Sequence, residues 1–231
     1  MKSVGFGFDV FGTLVDPLQM VHLLEQVLGP DCAPTVARVW REKQLEYTFR
    51  RGLMGAWQNF TVCTEQALSY ALVASGVELD DPQRQRLMAG YEQLAPFADV
   101  VPALQRLQKT GCATAAFSNG TAAHVRQILA NAEVLSLLQQ VVSVDELQTF
   151  KPDPRLYHHL STRLGTELQQ TWLISSNPFD VIGAKHAGIR AAWVRRQESA
   201  QFDPWGIEPD LVVSDLNELV DQISELNLTV D

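Results

Sequence analysis

The sequence predicts an α/β fold, a doubly wound parallel sheet interrupted after its first strand by a bundle of helices. Three observations lead to this prediction. An apolar strand-like run over residues 4–8 ends in Asp9 and is followed by a glycine turn. Four helical patterns then follow between residues 17 and 94 with no strand among them. After Pro96, strand-like and helical runs alternate, as they do in parallel sheets that are covered on both faces.

Length, composition and charge narrow the class of protein. The chain has 231 residues, of which 46% are hydrophobic and 19% charged, so we expect a sizeable core and no extensive disorder. The net charge of −9 argues against nucleic-acid or anionic-membrane partners, and it means that an anionic substrate needs a locally positive pocket. We see neither a membrane-spanning run nor a signal peptide. Three widely spaced cysteines, without metal-ligand or disulfide spacing, favour a reducing cytoplasm.

The helical patterns of the first half predict a separate subdomain. Apolar residues recur every three or four positions over residues 17–28, 34–53, 57–74 and 81–94. Pro17 suits the first position of its helix, and Gly29 with Pro30 ends that helix. Four successive helices after one strand are typical of an inserted helical bundle. We therefore predict a cap of residues 16–96, inserted into a Rossmann-like catalytic core of residues 1–15 and 97–231.

The second half supplies the rest of the sheet. We predict strands over residues 112–117, 141–144, 172–174, 191–194 and 211–213. Helical patterns cover residues 101–107, 122–129, 154–164, 181–187 and 216–226. In open parallel sheets, ligands collect at the carboxyl ends of the strands. The polar residues that follow each strand are therefore the candidates for a functional site.

Polar side chains follow four of these strands. Asp9 ends the first strand where a nucleophile would be placed, and Thr13 can turn its hydroxyl back toward it. The alternative is a turn-capping aspartate, with Gly12 serving only the turn. The later strand ends carry Ser118 with Asn119, then Lys151 before a rigid Pro-x-Pro turn, then Ser175, Ser176, Asn177 and Asp180. Each also has a simpler interpretation: Ser118 as a helix cap, Lys151 as a surface charge, and Asp180 as a cap or a partner of Lys185.

The stretch from Ser3 to Asp16 resembles the first motif of the haloacid dehalogenase superfamily, and the later strand ends match its later motifs in order. Most members are phosphatases that carry a second Asp, a general acid/base, two residues after the first. Phe11 stands at that position here, and a phenyl ring cannot exchange a proton. Because this position is aromatic in the 2-haloacid dehalogenase branch, the resemblance points to that branch.

The resemblance also bears on metal binding and on the cap. Superfamily phosphatases place acidic residues in the last loop to hold magnesium, whereas this loop leaves only Asp180 as the acidic group. We therefore expect a site without a metal or another cofactor. Residues 40–47 resemble the cap-helix motif whose arginine cradles the departing halide, and Arg41 is the matching residue. The alternative for Arg41 is a surface pair with Glu42 or Glu46.

Further positions match the branch individually. Leu45 and Phe60 match pocket-wall positions, and Tyr157 matches a functional tyrosine. Phe179 stands where some relatives have tryptophan, and Pro178 where a small residue is common. These two departures bear on substrate size more than on chemistry.

The resemblance implies a mechanism for a short (S)-2-haloalkanoate. Its carboxylate is expected to meet Ser118, Asn119 and the backbone amides near Val10 and Phe11, and Asp9 attacks C2. Arg41, Asn119 and the edge of Phe179 receive the halide, while Lys151 and Thr13 keep Asp9 ionised and oriented. Water, positioned by Asp180 with Ser175 and Asn177, then hydrolyses the ester. The alternatives are a magnesium-dependent phosphatase for a small metabolite and a binding protein with a vestigial site. The resemblance also implies a possible homodimer, since the family is often dimeric.

Overall fold

The computed structural model describes residues 4–225 and contains one six-stranded sheet. The strands are β1 (Gly5–Phe8), β2 (Ala113–Ser118), β3 (Gln140–Ser143), β4 (Thr171–Ser175), β5 (Arg190–Val194) and β6 (Leu211–Val213). They lie in the order β3-β2-β1-β4-β5-β6, and every neighbouring pair is parallel. This is the strand order of a doubly wound, Rossmann-like sheet, so the predicted fold class is confirmed.

The first four helices after β1 form the cap. They are α1 (Gln19–Leu28), α2 (Ala33–Met54), α3 (Phe60–Ala74) and α4 (Asp81–Gly90). The core helices are α5 (Val100–Gln108), α6 (Ala122–Asn131), α7 (Pro154–Leu164), α8 (Pro178–His186) and α9 (Leu216–Glu225). None of the helices within residues 4–225 combines the length and the apolar character that crossing a membrane requires. The boundaries of cap and core at residues 15/16 and 96/97 stay a prediction.

Three helix starts differ from the predicted ones by two or three residues, each for a local reason. The first cap helix begins at Gln19 because the Asp16 carboxylate accepts the amide of Leu18 and holds Pro17 in the preceding turn. The third begins at Phe60, where the Asn59 side chain caps the helix. The helix of the last site loop begins at Pro178 rather than at residue 181, since proline suits the first helical turn. Residue 226 of the last predicted helix lies outside the described residues.

Tight packing fixes β1 at the centre of the sheet. Phe6 and Phe8 are fully buried, and β1 is paired on both sides, with β2 and β4. A Cβ atom at Gly7 would approach the Leu160 side chain of α7 to 2.5 Å, so any larger residue would force Leu160 out of its place against β1. Asp9 directly follows β1 and therefore lies in the middle of the carboxyl edge of the sheet, next to a tightly packed strand.

Candidate active site

Asp9 is the centre of the candidate site. Its side chain is almost buried, with 7% of the residue exposed, and its carboxylate is surrounded by donors. Oδ1 accepts from Lys151 Nζ at 3.0 Å. Oδ2 accepts from Asn177 Nδ2 at 2.7 Å, Thr13 Oγ1 at 3.1 Å and Ser175 Oγ at 3.4 Å. Because these donors come from three separate strand ends, the carboxylate is held in one orientation.

The loop after Asp9 turns back on itself, and this places Thr13. Gly12 adopts the left-handed conformation, with φ of +85°, which favours glycine. The carbonyl of Val10 accepts the amide of Leu14 at 2.9 Å, so the turn is closed by its own backbone. The Thr13 hydroxyl accepts the amide of Ser176 at 2.9 Å while it donates to Asp9. The side chain of Val10 is buried in the core, so any contribution to substrate binding comes from its backbone.

Lys151 is a buried cation shared by two carboxylates. Its Nζ donates to Asp9 Oδ1 at 3.0 Å, to Asp180 Oδ2 at 2.7 Å and to the carbonyl of Phe117 at 2.9 Å. Its backbone amide donates to Asn119 Oδ1 at 3.0 Å, which ties its loop to the end of β2. Burial lowers the pKa of Lys151, but the charges of Asp180 and Asp9 outweigh it and raise that pKa above its usual range. The ammonium therefore stays charged, and the interpretation as a surface lysine does not hold.

Asp180 is the second carboxylate, and it is completely buried in the first turn of α8. Tyr157 donates its hydroxyl to Asp180 Oδ1 at 2.8 Å, on the oxygen that Lys151 does not bind. Burial and the charge of Asp9 raise the pKa of Asp180, whereas Lys151 and Tyr157 lower it, and the net direction is upward. Lys185, the alternative partner, binds Asp210 instead. A buried carboxylate with a raised pKa is suited to accept a proton during a reaction.

Arg41, on helix α2 of the cap, contacts the residues of this site. Its Nη1 donates to Gln44 Oε1 at 2.8 Å, and its Nη2 donates to Asn177 Oδ1 at 3.4 Å. Burial lowers the pKa of Arg41, and the fields of Tyr91 and Asp9 act in the opposite direction. The surface alternatives do not hold, since Glu42 pairs with Arg38 and Glu46 with Lys43 and Arg50.

A small cavity lies between Asp9 and the cap. Its volume is about 20 Å³, which is room for about one water molecule. One side is polar and charged, and the other is apolar. The lining residues are Asp9, Phe11, Arg41, Leu45, Phe60, Ser118, Asn119, Lys151, Asn177 and Phe179. The structure thus brings together at one cavity the nucleophile candidate and all the predicted substrate-binding side chains except Val10, with Thr13, Tyr157, Ser175 and Asp180 directly behind.

Two further residues hold the site and were not predicted. Arg196 donates through Nη2 to the carbonyl of Thr13 at 2.5 Å and pairs through Nη1 with Asp99 at 2.7 Å. No local pattern marks an arginine that acts on a loop 183 residues away. Gln44, the partner of Arg41, has a visible signal: it is an amide on the stripe of α2 that also buries Val36 and Trp40.

The donor set does not fit the magnesium ion of the phosphatases. Asp9 and Asp180 share the ammonium of Lys151, which stands between the two carboxylates that a divalent cation would need. Phe11 offers no side-chain oxygen, and hard cations require oxygen ligands. Within residues 4–225, no group of three or more His, Cys, Asp or Glu is arranged to hold a metal ion.

Fold and site together define a hydrolase with a capped, doubly wound core and a buried aspartate at its carboxyl edge. The family model of haloacid dehalogenase-like hydrolases matches residues 5–188, and the chain belongs to this family. An (S)-2-haloacid dehalogenase of Pseudomonas putida is 38% identical over 220 residues, 95% of this chain and 96% of that protein.

Solved structures agree with this assignment. The L-2-haloacid dehalogenase from Xanthobacter autotrophicus superposes with a TM-score of 0.89 at 30% identity, covering 96% of this chain and 98% of that one. A second structure of that enzyme, with chloropropionic acid covalently bound, has the same TM-score, identity and coverage.

Proposed function

We propose that this protein hydrolyses short (S)-2-haloalkanoic acids to (R)-2-hydroxy acids and halide through a covalent ester on Asp9. The observation that carries this proposal is the cavity that Asp9 and Arg41 line together, with Phe11 where a phosphatase has its acid. The relatives named above are 2-haloacid dehalogenases, and one of their structures contains covalently bound chloropropionic acid. Both facts support the proposal.

The substrate binds between core and cap, with its two ends in different environments. Its carboxylate meets Ser118, Asn119 and the amides near Val10 and Phe11, within the positive field of Lys151. Its alkyl part lies against the apolar side of the cavity, which Leu45, Phe60 and Phe179 form. Because the described cavity holds about one water molecule, the cap side chains must move apart to admit the substrate.

Alkylation is the first chemical step. A carboxylate oxygen of Asp9 attacks C2 from the side opposite the halogen, the new C–O bond forms, and halide leaves with the electrons of the C–X bond. This inverts the configuration at C2. A carboxylate is a modest nucleophile in water but reacts faster when it is desolvated and held in line. Arg41, with Asn119 and the ring edge of Phe179, receives the halide, so its positive charge meets negative charge that develops in the transition state.

Hydrolysis of the ester is the second step. Water attacks the carbonyl carbon of the Asp9 ester, and Asp180 accepts the proton of that water. Ser175 and Asn177, which already contact the Asp9 carboxylate, position the reacting groups. The C–O bond to the hydroxy acid breaks, its alkoxide oxygen takes up the second proton of the attacking water, and the Asp9 carboxylate is regenerated. Asp180 then releases its proton to solvent. Attack at the carbonyl leaves the C2 configuration unchanged, so the overall result is inversion.

Halide release is the direct test of this function. We expect halide from (S)-2-chloropropionate and none from the (R)-enantiomer, with no effect of excess chelator. A parallel assay contains an aryl phosphate and magnesium, which tests the phosphatase alternative. Magnesium-dependent phosphate release without any halide would overturn the proposal, and so would halide release that the chelator abolishes.

Replacing Tyr157 by phenylalanine is expected to shift the acid side of the pH–rate profile. The Tyr157 hydroxyl lowers the pKa of Asp180, so its loss raises that pKa further above its usual range. Asp180 must be ionised to accept a proton, and therefore Y157F loses activity at a higher pH than the wild type does. The measurement is kcat against pH for (S)-2-chloropropionate. Tyr70→Phe, an exposed tyrosine of α3, is the control; an acid limb of Y157F that is unchanged or lower contradicts the role of Tyr157.

The setting of the enzyme is also proposed here. We place it in the cytoplasm, as a homodimer, with a small haloacid as its substrate and with neither nucleic acid nor membrane as a partner. The three cysteines are widely spaced along the sequence, as is common in a reducing compartment, and the net charge of −9 repels polyanions.

A further inference from the structure

Gln44 is a buried polar residue to which the mechanism above gives no part. It is completely buried, on the face of α2 that also buries Ala33, Val36, Trp40 and Thr48. A side-chain amide in an apolar interface is costly unless its hydrogen bonds are made. The buried amide of Gln44 therefore needs hydrogen-bond partners at both its oxygen and its nitrogen.

Both ends of the Gln44 amide are engaged in one chain of hydrogen bonds. Oε1 accepts from Arg41 Nη1 at 2.8 Å, and Nε2 donates to Thr64 Oγ1 at 2.7 Å. The Thr64 hydroxyl donates in turn to the carbonyl of Phe60 at 2.8 Å. The partners fix the orientation of the amide: a guanidinium only donates, so it requires the oxygen, and the hydroxyl proton of Thr64 is already used. This series of hydrogen bonds thus runs from Phe60 of α3, which lines the cavity, to the guanidinium of Arg41.

An amide at position 44 holds the guanidinium of Arg41 without cancelling its charge, which a carboxylate would not do. A glutamate would hold the guanidinium by an ion pair and cancel its charge, whereas the amide holds it by a dipole. The hydrogen bonds described for Arg41 within residues 4–225 both go to amide oxygens, of Gln44 and Asn177. Asn177 also donates to Asp9 at 2.7 Å, so the same contacts set Arg41 relative to the nucleophile. The positive charge is therefore fixed in place and left available for an anion.

We infer that Gln44 is a positioning residue that aims the Arg41 guanidinium at the departing halide, with Thr64 as its support. The inference rests on the proposed function, because the anion in question is the halide released in alkylation. Gln44 touches neither the substrate nor the nucleophile in this role; it acts through Arg41. Its loss should therefore affect the step in which halide departs, and most strongly the substrate whose halide leaves with difficulty.

The test compares chloride and bromide as leaving groups in a single turnover. The rate of halide release in the first turnover reports alkylation alone, for (S)-2-chloropropionate and (S)-2-bromopropionate. Gln44→Met keeps the length of the side chain and removes the hydrogen bonds to Arg41 and Thr64. We expect its rate to fall roughly 10- to 100-fold with chloride, since a misplaced charge near the reacting atoms costs rates of this order. The loss with bromide, the better leaving group, should be several-fold smaller.

Three variants complete the design. Thr64→Val removes the supporting hydroxyl in a nearly unchanged shape and should change the bromide-to-chloride rate ratio in the same direction, whereas Thr64→Ser should restore it. Gln66→Met makes the same substitution at an exposed position of α3 and should leave both rates unchanged.

Equal losses with both halides in Q44M, or rates within twofold of the wild type, would overturn the inference and leave Gln44 a packing residue. If Q44M does not fold, the Thr64 pair decides, and identical rate ratios for Val and Ser would overturn the inference. The wild type separates this result from the proposed function: if the wild type and Q66M release neither halide, the proposed function fails, and the inference fails with it.

Discussion

Substitution of Asp9 by asparagine is expected to lower halide release from (S)-2-chloropropionate by about 10⁴-fold or more, since loss of a nucleophile removes the covalent route altogether. The change is nearly isosteric. With its oxygen in the place of Oδ1, the new amide still accepts from Lys151, but its nitrogen then faces the donors of Asn177, Thr13 and Ser175. The amide also has no charge with which to attack C2.

A matched control separates chemistry from local structure. Asp16→Asn makes the same change seven positions later, at the residue whose carboxylate accepts the amide of Leu18. D16N should keep its turnover within a few-fold of the wild type.

An isotope experiment tests the ester intermediate directly. In a single turnover in ¹⁸O-water with excess wild-type enzyme, the label should enter the enzyme rather than the product, because water attacks the ester carbonyl. Near-normal turnover by D9N, or label in the product alone, contradicts the assignment of the nucleophile.

Replacing Lys151 by methionine is expected to have the largest effect on stability. The ammonium is buried, and its removal leaves the carboxylates of Asp9 and Asp180 buried without their shared cation. Breaking a buried pair in this way costs about 3–5 kcal/mol of the free energy of unfolding. We expect halide release to fall by about 10³-fold or more as well, since a charge that orients the nucleophile is lost. Urea unfolding and first-turnover halide release are the two measurements.

The pH dependence of this loss has a definite sign. Without Lys151, the folded-state pKa of Asp180 rises further above its unfolded value, because the cation that lowered it is gone. The folded state of K151M therefore binds protons more readily than the unfolded state does. The destabilisation should be largest above the raised pKa and should shrink as the pH falls through it.

A second variant and a control test the physical cause. Adding Asp180→Asn to K151M removes one of the two stranded charges and should recover part of the stability but none of the activity. Lys185→Met removes a partly exposed pair with Asp210, and such pairs contribute about 1 kcal/mol or less. If K151M unfolds with the same free energy as K185M, the buried network does not stabilise the fold as described.

Much of the fold was accessible from local sequence patterns. The run that ends in Asp9, the helical spacing of the cap and the later alternation of strands and helices predicted a doubly wound sheet with an inserted bundle, and this is confirmed. The strand-end residues were also visible, because parallel strands gather their carboxyl ends at one edge. The errors lay at helix starts such as Gln19 and Pro178, where capping and turn geometry outweigh apolar spacing.

The sequence by itself determined the class of fold and the set of polar residues at the sheet edge, since both depend on periodicities that span a few neighbours. Only the tertiary structure decided how these residues pair: that Lys151 joins Asp9 to Asp180, that Arg41 is held by Gln44, and that Arg196 reaches the nucleophile loop. The contacts of Lys151 and Arg196 join residues that are 29 to 183 positions apart. The partner of Arg41 is nearby in the chain, but the burial of Gln44 depends on how α2 packs against α3. No local pattern carries such information, because it arises when separate elements are packed into one core.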